Sequence, residues 1–211
     1  MDNQKLKVVL ATRNQGKIAE LRELLSTVRP DLEVTGLDSY PDIPEIPESG
    51  TTFQENALIK ARTVAMITGE IAVADDSGLA VPALDGEPGV YSARYAGDNA
   101  TDRDNNRKLL QRMQHVQGRD RTARFICVLC AYAPNGHRLE VRGEWQGLIL
   151  DEPRGDGGFG YDPLFYDPEQ NLTAAEMDGD LKNSLSHRGQ ALKILMQRWE
   201  DFISEINIQG A

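Results

Sequence analysis

Short apolar runs alternate with segments of helical period over the first part of the chain, and two long strand-like runs then follow each other across a tight turn. Leu6 to Ala11 reads as a buried strand. Beyond a polar turn, Ile18, Leu21, Leu24, Leu25 and Val28 recur at helical spacing until Pro30 stops them. That is a β-turn-α unit. The Pro-spaced stretch SYPDIPEIPESG is a loop, and Thr52 followed by Glu55 opens a second helix with the capping-box pattern, which Gly69 closes. Ile71 to Ala74 reads as a short strand ending in Asp75-Asp76-Ser77-Gly78, which would emerge at the sheet edge. Leu109, Leu110, Met113 and Val116 outline a further helix with a start signal at Thr101 and Asp104. TARFICVLCAYA and RLEVRGEWQGLIL flank Pro134-Asn135-Gly136 as the arms of a hairpin. Leu192, Leu195, Trp199, Phe202 and Ile206 mark one long amphipathic C-terminal helix. A purely parallel doubly wound sheet does not accommodate the hairpin, so the expected fold is α/β with a mixed sheet and flanking helices.

With 211 residues, 40% of them hydrophobic, the chain can bury a core as one large domain or as two lobes sharing a sheet. No linker or repeat divides it. A formal charge of -10 leaves no general basic surface for tracking nucleic acid, although a local cationic pocket can still take a small anion. No run approaches the roughly 18 apolar residues of a membrane span. Met1 to Gln4 lacks the pattern of a secretory signal, so the expected setting is the cytoplasm. Cys127 and Cys130 sit in the strand-like RFICVLCAY without a second Cys pair or a nearby His, which favours structural thiols over a metal site.

Four groups could carry chemistry. Thr12, Arg13, Asn14, Gln15, Gly16 and Lys17 form the first strand-to-helix turn. Free N–H groups, the positive helix end and the Lys17 charge suit an anion there. It is not a P-loop, because Ala11 stands where the first Gly belongs and Ile18 where the Ser/Thr belongs. An ordinary βα connection remains the alternative. The adjacent acids Asp75 and Asp76 suit a divalent cation between phosphate oxygens and at least one of them, or else a solvated turn. Glu48 could add a hard oxygen, and Asn56 and Lys60 share one helix face. GDGGFGYDP holds four glycines within six residues counting back from Gly160 to Gly155, so backbone can lie against a flat ligand while Phe159 offers a stacking face. Lys182, with Ser186-His187-Arg188-Gly189, supplies donors for a carbonyl or phosphate, or simply caps a helix. A Ser77-His187 hydrolase is disfavoured: the Gly-x-Ser-x-Gly elbow is missing and two acids precede Ser77.

Taken in order, ATRNQGK, ESGTTFQENALIKA, ADDSGL, PGVYSARY, GGFGYDPLF and KNSLSHRGQAL strongly resemble the inosine triphosphate pyrophosphatase family, the bacterial dITP/XTP or non-canonical purine pyrophosphatases. The resemblance covers about Lys7 to Arg198. It implies a single domain over residues 1–211 with an elongated mixed sheet and two lobes around a cleft, working as a homodimer. The implied reaction converts ITP, dITP or XTP to the monophosphate and pyrophosphate with magnesium. By the same resemblance Thr12 to Lys17 hold the triphosphate and Lys60 adds charge. Glu48 and Asp76 match magnesium-linked acids, with Asp76 the general base and Asp75 in support. Ser77, Phe159, Gly160, Tyr161, Asp162, Lys182, His187 and Arg188 match nucleotide-binding positions. Arg13 departs from the Gly or Asn often found at its position. A Maf-like pyrophosphatase of other base specificity and a nucleotide-binding regulator are the competing readings.

Overall fold

A computed structural model describes residues 6–208. The side chains of Leu24 and Val28, which the helical spacing includes, lie outside the described set, as do Met1 to Gln4. Seven strands form one sheet in the order β2-β1-β3-β4-β5-β6-β7. The strands are β1 (Leu6–Leu10), β2 (Leu32–Gly36), β3 (Ile71–Ala80), β4 (Thr122–Tyr132), β5 (Arg138–Ile149), β6 (Phe165–Asp167) and β7 (Leu172–Thr173). β1 pairs in parallel with β2 and β3, whereas β5, β6 and β7 pair antiparallel. The sheet is therefore mixed. The helices are α1 (Gln15–Val28), α2 (Phe53–Thr68), α3 (Asp102–Arg112), α4 (Gly179–Leu185), α5 (His187–Gln197) and α6 (Trp199–Ile208). Among the described residues no helix is long and apolar enough to cross a membrane.

Local sequence accounts for most boundaries. Thr52 and Glu55 form the capping box of α2, and Gly69 ends that helix in the left-handed conformation at φ 71. Thr101 and Asp104 form a second capping box at the start of α3. The turn between β4 and β5 is closed by hydrogen bonds from Ala133 to His137 and from Gly136 to Ala133, as the hairpin reading requires.

Two expectations need correction. The acidic stretch is not a turn at a sheet edge: β3 continues through Asp75-Asp76-Ser77-Gly78 to Ala80 and lies between β1 and β4. Strand pairing and burial override the turn composition here. The C-terminal helix is two helices, because at Arg198 the backbone N–H bonds Leu195, three residues back, and the tightened turn separates α5 from α6.

The chain divides into two compact units. The first comprises Met1–Asp76, Cys127–Gly143 and Arg188–Ala211, and the second Ser77–Ile126 and Glu144–His187. In the first, Val8, Leu10, Ile71 and Val73 of the sheet bury against Ile18, Leu21 and Leu25 of α1 and against Leu192, Leu195, Trp199 and Phe202. Alternation along β3 puts Asp75 on this same face and Ala72, Ala74 and Asp76 on the other. In the second unit Leu79, Leu109, Met113, Phe125, Trp145, Tyr161, Leu164 and Phe165 make a separate core.

Candidate active site

The β1–α1 turn is tied to β3 by the Ala11 N–H, which donates to the Val73 carbonyl at 2.8 Å. Thr12 Oγ1 accepts from the Asn14 N–H at 3.2 Å, and Asn14 Oδ1 accepts from the Lys17 N–H at 3.1 Å. Asn14 is thus the N-cap of α1. Arg13 has a definite role: its guanidinium donates to the Ile43 carbonyl and holds the Pro-spaced loop beside the turn. Gln15 and Gly16 open the helix, where the positive end of its dipole lies.

The two adjacent aspartates have separate surroundings. On the α1 face, Asp75 Oδ1 lies 2.6 Å from Lys17 Nζ, while Oδ2 lies 3.4 Å from Arg188 Nε and 3.7 Å from Cys127 Sγ. Arg188 also pairs with Glu20. Asp75 is 1% exposed. Burial opposes its ionisation, but Lys17, Arg188 and Lys60 outweigh burial and hold its pKa well below the usual carboxylate range. On the α2 face, Lys60 Nζ donates to Asp76 Oδ1 and to Glu48 Oε1, each at 2.8 Å, and Asn56 Nδ2 donates to Asp76 Oδ2 at 3.3 Å. One ammonium cannot neutralise two carboxylates. Burial is the main force that pushes Asp76 up to about 6; Lys60 counters it, and the charge on Glu48 adds to it. The pair therefore consists of a fixed anion and a carboxylate that titrates near neutrality.

This separation bears on metal binding. Strand alternation sends the two side chains to opposite faces, so of the two acids Asp76 alone stands with Glu48, while Asp75, the supporting candidate, faces Lys17 and Arg188. Among the described residues no group of three or more His, Cys, Asp or Glu gathers as a metal site. Glu48 and Asp76, brought together by Lys60, are a pair of hard oxygen donors. Such a pair suits magnesium, which commonly takes one or two carboxylates plus phosphate oxygens.

In the second unit, Asp162 Oδ2 accepts from the Phe159 N–H at 2.9 Å and lies 2.7 Å from Lys182 Nζ. The Lys182 ammonium stands 5.1 Å from the Phe159 ring centroid. Gly158 is required here: its φ is +72, and a Cβ would fall 2.1 Å from Asp162 Oδ2. Tyr161 Oη donates to the Ser92 carbonyl at 2.8 Å, which gives PGVYSARY a part in holding the loop. His187 stacks on Phe125, with centroids 4.8 Å apart and planes 14° from parallel. Ser77 follows Asp76 on β3, half-buried. Arg188, next to His187 in sequence, turns instead to Asp75 and Glu20.

Sequence reasoning missed Glu20, Ser92, Asp102 and Asn106. Asp102 Oδ2 accepts from the Gly160 N–H at 2.7 Å, and Asn106 Nδ2 donates to the Gly160 carbonyl at 2.9 Å. The available signals were the spacings Lys17 to Glu20 and Asp102 to Asn106, which each place two polar side chains on one helix face.

These features define a mixed α/β protein in which a buried acid–base cluster flanks a central strand and a helix N-terminus, and in which a separate glycine loop presents a half-buried aromatic ring. The Ham1 family profile matches residues 8–198. The chain belongs to that family. It is 52% identical over 204 residues to a dITP/XTP pyrophosphatase of Nitratidesulfovibrio vulgaris, covering 94% of this chain and 98% of the relative. It is 53% identical over 196 residues to the dITP/XTP pyrophosphatase of Thermus thermophilus, covering 93% of each. A solved HAM1 protein from Coxiella burnetii superposes with a TM-score of 0.84 at 45% identity, over 93% of this chain and 99% of that one.

Proposed function

We propose that the protein is a magnesium-dependent pyrophosphatase that cuts dITP, ITP, XTP and dXTP to the monophosphate and pyrophosphate, clearing them from the nucleotide pool. The observation that carries this reading is the Asp76–Lys60–Glu48 arrangement, in which a carboxylate of raised pKa sits beside an ammonium and a second hard oxygen donor. Relatives named dITP/XTP pyrophosphatase, about half identical over nearly the whole chain, support it.

Magnesium held by Glu48, Asp76 and substrate phosphate oxygens would offset phosphate charge and make the α-phosphorus more electrophilic. Asp76 orients water and accepts its proton as the water oxygen bonds the α-phosphorus and the bond to the pyrophosphate oxygen breaks. With magnesium beside it Asp76 would stay ionised and so be able to accept that proton. Lys60 and Lys17 offset charge on the departing pyrophosphate, and the start of α1 adds its dipole. Thr12, Arg13 and Asn14 shape this turn, while Gln15 and Gly16 present its backbone.

Phe159 stacks the base, and Gly160, Tyr161 and Asp162 hold that ring in place. His187 and Lys182 donate toward the 6-oxo group of hypoxanthine or xanthine, where adenine presents a donor instead. A site built on such bonds can discriminate by about four orders of magnitude. Arg188 serves the same end indirectly, by fixing Asp75 and the start of α5. A cytoplasmic homodimer is the proposed setting, and sedimentation would check the dimer.

One assay tests the reading. The full chain is incubated with magnesium and dITP, XTP, ATP, GTP, dTTP or UTP, and pyrophosphate is separated from phosphate. Pyrophosphate released from dITP and XTP with ATP spared is expected. Phosphate as the sole inorganic product, or a preference for dTTP or UTP, would overturn it, the latter in favour of a Maf-like activity.

A further inference from the structure

Gly160 is held at both of its polar groups by one helix. Asp102 Oδ2 takes its N–H and Asn106 Nδ2 its carbonyl, although these side chains lie 58 and 54 residues away in sequence. The spacing of four residues explains how α3 reaches both, since such side chains stand one turn apart on a single face. Asn106 Oδ1 is buried without a hydrogen-bond partner. An orphaned acceptor of this kind costs stability, and its persistence is explained if the amide must keep its donor on Gly160. On the far side of Phe159, Asp162 takes the Phe159 N–H. The backbone on both sides of the ring is therefore clamped, with Gly160 at φ +63 making the turn.

We propose that Asp102 and Asn106 are positioning residues for base recognition: by fixing the peptide groups of Gly160 they set the plane of the Phe159 ring against which a purine stacks. The inference rests on the reading that this loop receives the base. Neither residue acts on the reacting phosphorus, which falls to groups of the first unit. Loss of the clamp should then weaken capture of the base and spare the chemical step.

The test uses full-length Asp102→Ala and Asn106→Ala with dITP as substrate and inorganic tripolyphosphate as a competitive inhibitor lacking a base. KM for dITP should rise about tenfold, the scale of one hydrogen bond to a charged or buried group. kcat should stay within about twofold, and inhibition by tripolyphosphate should not change. Asp102→Asn, which keeps an accepting oxygen, should recover most of the loss. Asp104→Ala breaks the capping box of the same helix, so it should lower Tm and leave KM alone. An unchanged KM in Asp102→Ala and Asn106→Ala, an equal rise in Asp104→Ala, or equal weakening of tripolyphosphate would overturn the proposal. Failure of the wild type to cleave dITP would instead refute the reaction. Calorimetric binding of dIMP to wild type and Asp102→Ala would still decide the clamp in that case.

Discussion

Replacing each of the two adjacent aspartates by asparagine should produce opposite results. Asp75→Asn leaves Lys17 and Arg188 beside a neutral amide in a site where Asp75 is 1% and Arg188 3% exposed. Removing one partner of a buried pair costs about 3–5 kcal/mol. For a chain of this size that corresponds to a Tm lower by about 10 °C. Asp76→Asn removes the surplus negative charge of a cluster in which Lys60 still has Glu48 at 2.8 Å. Its stability at pH 7 should rise, by up to the cost of holding Asp76 ionised there, while kcat falls by about three orders of magnitude through loss of the base. The pH dependence separates the two further. Asp76 is raised to about 6, so its stabilising contribution is full below the unfolded carboxylate value of about 3.9 and is lost as pH rises through about 6. A raise of about two units amounts to about 3 kcal/mol. Asp75 is lowered, so its contribution is present above the unfolded value and is lost as pH falls through its folded pKa. Urea titrations at pH 7 and about pH 4.5, with turnover of dITP measured alongside, read all of this. The stability that wild type gains on acidification through about 6 should be missing from Asp76→Asn and retained in Asp75→Asn. A wild-type Tm for Asp75→Asn, or near-normal turnover for Asp76→Asn, would refute the division of roles.

The same geometry makes three further predictions. The acid limb of kcat/KM should fall at or below pH 6, with activity lost as Asp76 gains its proton, and rising magnesium should move it to lower pH; a limb that ignores magnesium would remove Asp76 from the metal site. Gly158→Ala forces a side chain at φ +72 against Asp162 and should raise KM for dITP while lowering stability by about 1–3 kcal/mol, as kinetics and calorimetry would show. Chelation should abolish turnover reversibly yet leave Tm within a few degrees, since Glu48, Lys60 and Asp76 are already paired among themselves; unfolding on chelation would contradict this.

Helix starts were legible because capping is local. Thr52 with Glu55, and Thr101 with Asp104, satisfy each other within one turn, so the four-residue pattern contains the whole interaction. The β1–α1 turn was legible in the same way, whereas the partner of Arg13 was not, because Ile43 lies 30 residues on. The acidic stretch misled for a more specific reason. Asp, Ser and Gly favour turns when solvent satisfies them. Here β1 pairs with the start of β3, and cations from α1, α2 and α5 supply what solvent would have supplied. None of these partners is near in sequence. The difference between strand and turn then decides the chemistry. In a turn both carboxylates could bend toward one cation. On a strand they must diverge, so Asp75 takes its direct partners, Lys17 and Arg188, from one face while Lys60 donates to its neighbour on the other. Asp76 is left with a share of Lys60 and a pKa near 6. A single-residue register shift of β3 would exchange these surroundings, burying Asp76 against Lys17 and Arg188 and turning Asp75 toward Lys60 and Glu48.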